Sequence, residues 1–492
     1  MLEKLAKQSA IYGISTIVGR LLSYLLTPYY TRLFAPAEYG IITDLYALIP
    51  FALVLLTMGM ESSYFRFGAK AEEAGGSATE IARRKKDLFA TTWGITGLLS
   101  ALFAGAVALL KAPISEVMGE AYAMQPNLVV WVALIIMLDV STAIPFARLR
   151  ERGDAKLYVI LKLLNIVLQV GLAVVFGMAG LFSNTIGVGW VVIANLIASI
   201  ITLVVTVAMS RPYVLPHIDW ALLAKILIYS LPLLLSGVAM TATEFVDRQL
   251  IKYLTPEGAM AQLGLYGAVT KIAVVMTLFT QMYRLAAEPF FLSNFKKEEF
   301  VESNAAAMKY YIIASVAIFL GITLFKDLFA LIVGRDFREG IYILPVILGS
   351  NLLMGVWLNL SFWYKREEKT QFALYITLVG LATTIVANMI LIPKWGYSGA
   401  AWARLTSDSV MVLFSYLLAR RYYPIPYELG RIAEYFVVGA AIYIASMQIS
   451  NWSDNLVVTA SSGVILLLGY LTFAVRREGI DVGALVKSIT KR

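Results

Sequence analysis

The 492-residue chain has no cysteine and a single histidine, His217. The first absence removes disulfides, thiolate nucleophiles and thiolate-bound zinc together. The second excludes histidine metal sites, Ser-His-Asp triads and histidine proton relays. Charge is scarce as well: Asp, Glu, Lys and Arg make up 15% of the residues against 59% apolar ones, and the mean hydropathy is +0.75. A water-soluble globule cannot hide that much apolar surface. With 15 Pro and 35 Gly the chain is neither collagen-like nor of low complexity, and its apolar content excludes disorder. About 20 apolar residues make one bilayer crossing. The composition therefore describes an all-α polytopic membrane protein.

Apolar runs between charged or Pro/Gly-rich punctuation predict about 14 transmembrane helices. They begin near Ser9, Ile41, Asp87, Gln125, Lys156, Asn184, Ala221, Leu263, Val301, Ile341, Thr370, Tyr397, Leu429 and Asp454. The first run, Ser9 to Leu33, is too long for the apolar core of a secretory signal and carries Arg20 inside it. The net charge of +9 reflects cytoplasmic loops, where basic residues resist translocation, rather than affinity for nucleic acid. With the N-terminus inside, about 27 basic residues fall in inner loops and about 7 in outer ones. The outer set is Arg32, Lys111, Lys252, Lys326, Arg335, Arg338 and Lys394. This asymmetry predicts a multi-pass protein of the cytoplasmic membrane with both termini in the cytoplasm. Outer connections stay under about sixteen residues, too short for the catalytic loops of membrane glycosyltransferases or polymerases, and no P-loop is present. An enzyme is not expected, and neither is a cofactor.

The chain repeats itself. Phe146-Ala147-Arg148-Leu149-Arg150-Glu151-Arg152 and Gly180-Leu181-Phe182-Ser183 recur 216 positions later as Phe362-Trp363-Tyr364-Lys365-Arg366-Glu367-Glu368 and Gly396-Tyr397-Ser398-Gly399. Arg32-Leu33-Phe34-Ala35-Pro36 is likewise echoed by Lys252-Tyr253-Leu254-Thr255-Pro256. Two parallel six-helix lobes follow from this, residues 1–209 and 221–421. A linker at 210–220 joins them, and residues 422–492 add two C-terminal helices.

Ionisable residues stand at spanning depth: Arg20, Lys162, Arg248, Lys271, Arg284 and Arg404, with Glu61, Asp139, Glu244, Asp247, Glu288 and Asp408. Each costs about 2.5–3.5 kcal/mol at a helix centre. Six lipid-facing cations would cost about 15–20 kcal/mol, more than a typical net stability of about 5–15. Most must therefore face the bundle interior or a wet cavity. Stripes at helical spacing agree: Gly13, Thr16, Arg20, Tyr24, Thr27 and Thr31; Lys162, Asn165 and Gln169; Asn195, Ser199, Thr202 and Thr206; Thr270, Thr277, Gln281, Arg284 and Glu288. Threonine stripes also serve simply to join helices. Glu244 and Arg248, Arg284 and Glu288, and Arg404 and Asp408 are i, i+4 pairs that can neutralise one another. Arg20 and Lys162 have no such partner, and Asp139 is the expected internal counter-ion. A cavity with spare cations predicts an anionic ligand, a phosphate or pyrophosphate.

The stretch Leu26-Thr27-Pro28-Tyr29-Tyr30-Thr31-Arg32-Leu33-Phe34-Ala35-Pro36-Ala37-Glu38-Tyr39-Gly40 resembles the first-helix signature of the polysaccharide-biosynthesis flippases. These are the O-antigen and exopolysaccharide repeat-unit translocases of the multidrug/oligosaccharidyl-lipid/polysaccharide (MOP) superfamily. Ser230 to Gly237 with Phe245-Val246-Asp247-Arg248 is similar to that family's seventh helix, and Gly264 to Ile272 to its eighth. The resemblance implies two lobes in a V and a central cationic cavity, opening alternately to either side, for a polyprenyl-diphosphate-linked oligosaccharide. It carries Arg32, Asp247, Arg248 and Lys271 within matched motifs. Arg20, Lys162, Arg284 and Arg404 join the candidate headgroup-binding set from burial alone. Glu61, Asp139, Asp247, Glu288 and Asp408 are the candidates for counter-charge or for coupling to Na+ or H+. A monomer in the bilayer is expected, with a glycan polymerase or glycosyltransferases as further partners. Fourteen spans also resemble the peptidoglycan-precursor flippase of the same superfamily. Two other readings stay open. A multidrug (MATE-type) antiporter would need unpaired carboxylates in the cavity. A non-transporting scaffold of a glycan-assembly complex would make the buried charges structural pairs.

Overall fold

In the computed structural model, residues 24–210, 218–294, 299–367, 371–452 and 455–479 are described, with 17–18, 21–22 and 369. Among these the chain is helical throughout and contains no strand. A short helix α1 (Leu26–Leu33) precedes α2 (Pro36–Thr57), which begins with proline in its first turn. Proline is tolerated there because that N–H has no intrahelical acceptor. Met58 and Gly59 then take φ of 48° and 68°, breaking the helix before α3 (Met60–Glu73). Next comes α4 (Ala78–Leu109), opened by a reciprocal cap in which Ser77 Oγ accepts from the Glu80 N–H and the Glu80 carboxylate accepts from the Ser77 N–H. Two short helices, α5 (Lys111–Met118) and α6 (Glu120–Ala123), lead to α7 (Asn127–Glu151), α8 (Ala155–Met178) and α9 (Gly189–Ser210).

Past the linker, α10 (Trp220–Leu254) starts on an Asp219 cap and runs for 35 residues. It is followed by α11 (Ala259–Ile272), α12 (Val274–Asn294), α13 (Phe300–Thr323), α14 (Lys326–Ala330) and α15 (Leu344–Leu360). The last group is α16 (Phe362–Arg366), α17 (Gln371–Trp395), α18 (Tyr397–Tyr422), α19 (Leu429–Trp452) and α20 (Leu456–Glu478).

Eleven described helices are long and apolar enough to cross a membrane, twelve when α11 and α12, bent by 47°, count as one span. The predicted count of about 14 is not reached on that measure, for two reasons. Most of the first candidate helix lies outside the described residues. Helix α18 has 26 residues, but Arg404 and Asp408 depress its hydropathy. The connections also differ from expectation. Residues 68–86 and 111–125, which lie between the predicted apolar runs, are largely helical, because charged side chains seek water without opposing a helix.

The helices gather into two compact units, each with its own core. One comprises residues up to Gly267 together with Asn388–Tyr397; the other comprises Ala268–Ala387 and Ser398 onward. In the first, α7 is central. Ile135, Ile136, Val140 and Ile144 are buried on all sides of it, against Leu45 and Ile49 of α2, Ala104 of α4 and Val192 of α9. In the second, Phe291, Phe300, Phe362, Trp363 and Met411 form an aromatic core. Elsewhere large apolar side chains point outward, such as Ile228 at 78% and Ile465 at 70% exposure. That surface suits lipid and would be untenable in water.

Within the first unit, α2 and α11 approach backbone to backbone. A Cβ on Gly40 would lie 1.9 Å from the Met260 carbonyl oxygen, and one on Gly264 would lie 2.0 Å from that of Pro36. Gly40→Ala is therefore expected to push the two helices apart at a cost of about 1–3 kcal/mol, read as a lower thermal midpoint in detergent. Gly97→Ala, whose Cβ would meet nothing within 4 Å, should be neutral or slightly stabilising.

Candidate functional site

Four helices of the first unit turn polar groups toward one another at spanning depth. Lys162, Asn165 and Gln169 follow at steps of three and four along α8, so they share a face. Asn165 Nδ2 donates to Thr202 Oγ1 of α9 at 2.9 Å, and Gln169 Nε2 donates to the Tyr46 hydroxyl of α2 at 3.1 Å. Ser199 Oγ of α9 donates to Asp139 Oδ1 of α7 at 2.8 Å. The predicted stripe on α9 is thus partly glue: Thr202 and Thr206 return their hydroxyls to the carbonyls of Ala198 and Thr202.

Lys162 differs from its neighbours. Its side chain is exposed although it stands two turns inside an apolar helix, and Nζ lies 4.1 Å from the Phe146 ring centre. The negative ring face stabilises the ammonium in part, and Asp139 is the carboxylate whose charge acts on it. No ion pair forms there among the described residues. A cation at this depth with amides and hydroxyls beside it can take up a negatively charged, hydrogen-bonding group.

A second cluster was not read from the sequence. Asp44 of α2 is 2% exposed and accepts three hydrogen bonds: from Tyr122 at 2.6 Å and Lys252 Nζ at 2.7 Å on Oδ2, and from Gln249 Nε2 at 2.6 Å on Oδ1. Lys252, assigned above to an outer loop, instead lies in the last turn of α10 and is 9% exposed. Its ammonium also sits 4.5 Å from the Tyr122 ring centre. Burial and the Asp44 charge push the Tyr122 hydroxyl well above its ordinary range, so it stays protonated and donates. Gln249 and Lys252 are three residues apart and therefore share one helix face. That spacing, with an acid four residues after Gly40, was the available signal.

The other expected residues divide between the units. In the first, Arg20 lies outside the described residues. Arg32 Nη1 donates to the Pro28 carbonyl at 2.7 Å, closing its own helix end. Arg248 points Nη1 at the Glu244 carbonyl at 3.4 Å, while its buried Nε has no hydrogen-bond partner among the described residues. Asp247 is buried and accepts from Asn388 Nδ2 at 2.7 Å. Glu61 is engaged by Arg150, whose guanidinium also lies 4.9 Å from the Phe65 ring centre. In the second unit, Lys271 is exposed at the end of α11. Arg284 meets Glu288 at 3.6 Å, and Glu288 also takes Lys365 at 2.7 Å. Arg404 reaches Asn351 Oδ1 at 3.5 Å, and Asp408 accepts from Ser350 Oγ. Among the described residues no group of three or more His, Asp or Glu is placed to hold a metal ion.

A helical bundle with this number of apolar spans defines a polytopic membrane protein. The particular family follows from sequence: the pattern described as "Polysaccharide biosynthesis protein" matches residues 5–295, and the chain belongs to that family. No curated protein matches the chain. Among solved structures it is similar to "Lipid II flippase MurJ, inward closed conformation", with TM-score 0.70 and 13% identity over 96% of this chain and 100% of that one. It is also similar to an inward-facing multidrug resistance MATE family transporter of the MOP superfamily, with TM-score 0.68 and 14% identity over 82% and 94%. A third is a MOP superfamily transporter from Pyrococcus furiosus, with TM-score 0.57 and 16% identity over 85% and 95%, described as having a binding pocket of reverse polarity. At such identities the likeness establishes the fold.

Removing one partner of a buried pair strands the other. Asp44→Ala is expected to destabilise the protein by about 3–5 kcal/mol, whereas the double change Asp44→Leu, Lys252→Met should cost far less. Thermal unfolding in detergent checks the ordering.

Proposed function

We propose that the protein is a flippase that moves a polyprenyl-diphosphate-linked oligosaccharide, a polysaccharide or O-antigen repeat unit, from the cytoplasmic to the outer leaflet. It does so by alternating access, carrying the anionic headgroup on cations of a central cavity. The observation that supports this most is Lys162, exposed and in no ion pair among the described residues, on an amide- and hydroxyl-bearing face at spanning depth. Membership of a polysaccharide-biosynthesis family agrees with it.

Arg248, whose buried Nε–H has no acceptor among the described residues, is the second cation in this reading. Arg20, Arg32, Lys271, Arg284 and Arg404 are the remaining candidates for the set; Arg32, Arg284 and Arg404 each already meet an oxygen. Asp139 serves as the counter-charge of Lys162 between loads, and Na+ or H+ coupling would act through it. Outward movement of an anion is favoured by an inside-negative potential, by about 2.3 kcal/mol per charge per 100 mV. A carrier of organic cations would instead present a carboxylate on this face. Here Asp139 is occupied by Ser199, and the ammonium is the exposed group.

A charge-assisted contact is worth about 1.5–3 kcal/mol, so Lys162→Ala should lower translocation about tenfold or more, with Lys162→Arg retaining most of it. The assay is transfer of lipid-linked oligosaccharide across reconstituted vesicles, with folding checked by thermal midpoint. A folded Lys162→Ala variant working at the wild-type rate would overturn the assignment.

A further inference from the structure

We propose that Asp44, Tyr122, Gln249 and Lys252 form a latch that holds the Lys252 end of α10, and α11 after it, shut against α2, and that each transport cycle must open it. The proposal rests on the flippase reading, since only a protein that alternates between two accessible states needs a closure that can be remade.

Four observations carry it. First, the chemistry of the cluster suits reversal. A buried ion pair adds little net stability over well-packed apolar groups, so its presence between α2 and α10 calls for a reason other than holding the fold. When the two helices part, water replaces each donor to Asp44 and each acceptor of Lys252. An apolar contact would have no such compensation. Second, the adjoining surface is smooth. Gly40 faces the Met260 backbone, Gly264 faces Pro36, and a Cβ on Gly267 would lie 2.4 Å from Thr43 Oγ1 and 3.1 Å from Thr43 Cβ. Backbones in contact through glycine can separate without unthreading interlocked side chains.

Third, the two ends of α10 are held differently. At the Trp220 end, Leu223 and Ile226 are buried with Met60, Leu88, Phe89 and Ile144, and the Asp219 N–H donates to Thr91 Oγ1 at 3.0 Å. At the Lys252 end the ion pair stands beside buried Ile251, with the Phe51 and Phe245 rings stacked at 4.5 Å two turns earlier. One end is an anchor and the other a catch. Fourth, there is somewhere to bend. Pro232 lies inside α10, and the helix pair α2–α3 is broken at Met58–Gly59. A Cβ on Gly59 there would lie 3.3 Å from the Ser230 carbonyl oxygen and from Leu233 Cβ of α10.

The absence of native cysteine gives a clean test. In Thr43→Cys, Gly267→Cys the two Cβ atoms would start 3.1 Å apart, so α2 and α11 need to give by only a few tenths of an ångström to reach the distance a disulfide spans, about 3.5–4.5 Å. A mild oxidant removes two protons and two electrons from the thiols and joins them. With the latch intact, cross-linking should be rapid. Adding Asp44→Asn or Lys252→Met should slow it about tenfold or more, as the open state gains population. The oxidised pair should stop translocation in vesicles, and a reductant should restore it, which shows that the locked protein is folded. Should Asp44→Asn prove unfolded, Lys252→Met and Gln249→Leu supply the same comparison. Cross-linking that is indifferent to all the latch variants, or an oxidised carrier that works at the reduced rate, overturns the proposal. Cross-linking that depends on Asp44 in a protein that moves no lipid-linked oligosaccharide leaves the latch standing and removes the flippase reading instead.

Discussion

A carboxylate that meets neither water nor lipid must be fully satisfied by protein, and Asp44 is satisfied from three directions. That constraint fixes much of the first unit. It sets the rotation of α10, since Gln249 and Lys252 must face α2. It requires the short helix α6 to fold back so that Tyr122, fully buried, can reach the same oxygen as the ammonium. It also sets how closely α2 and α11 approach, because the chain turns at Thr255 to Gly258 and then runs past Gly40 within backbone contact. The two glycines there are the steric counterpart of the charge cluster: a side chain at either would lengthen the hydrogen bonds next to it.

Fold class was legible because it is written in composition and in runs about 20 residues long. Helix starts were legible for the same reason, and α10, α13 and α19 begin within one residue of where the apolar runs do. What the runs hide is where a helix continues into water, as at Glu73 and Ala78, and which charges meet. Lys252 shows why. A lysine at the edge of an apolar run looks like a loop residue because its usual partner is solvent, and only the third dimension reveals a carboxylate from 208 positions away. Asp44 was missed for the complementary reason, as one acid in a strongly apolar segment adds no periodicity. The shared face of Lys162, Asn165 and Gln169 was legible because it is local to a single helix. Packing groups Trp220 to Gly267 with the helices before the linker, a grouping set by side chains that meet across the chain and so absent from any local run.

Charges at spanning depth sort by what they already touch. Glu61 with Arg150 and Glu288 with Arg284 and Lys365 are local neutralisations, and such pairs spend their electrostatic attraction on each other. Lys162 has an exposed ammonium, and Arg248 has an N–H with no acceptor among the described residues. The difference lies in helix geometry as much as in residue type. A carboxylate four residues along the same helix is always in reach, while Lys162 has Gln169, Asn165 and an aromatic ring around it and no acid within its own two turns.

The two C-terminal helices show how an added pair becomes part of a bundle. Along the apolar stretch, Gly439 of α19 sits where a Cβ would touch Val316 of α13, and the Tyr470 hydroxyl of α20 donates to the Ile313 carbonyl at 3.1 Å. Beyond the apolar stretch, Lys309 of α13 bridges Glu428 and Glu478, each at 2.8 Å, and Arg431 adds a contact to Glu428 at 3.0 Å. Glu478, the last residue of α20, is only 3% exposed at its side chain. Detaching the pair would strand Lys309 against α13 and leave a buried hydroxyl and carboxylate without partners. Charge thus does opposite work in the two units. In the second, Lys309, Arg431, Glu428 and Glu478 share one network near the helix ends and tie the added pair to α13. In the first, a single pair is sunk at the meeting of smooth backbones, the arrangement that can be opened and closed.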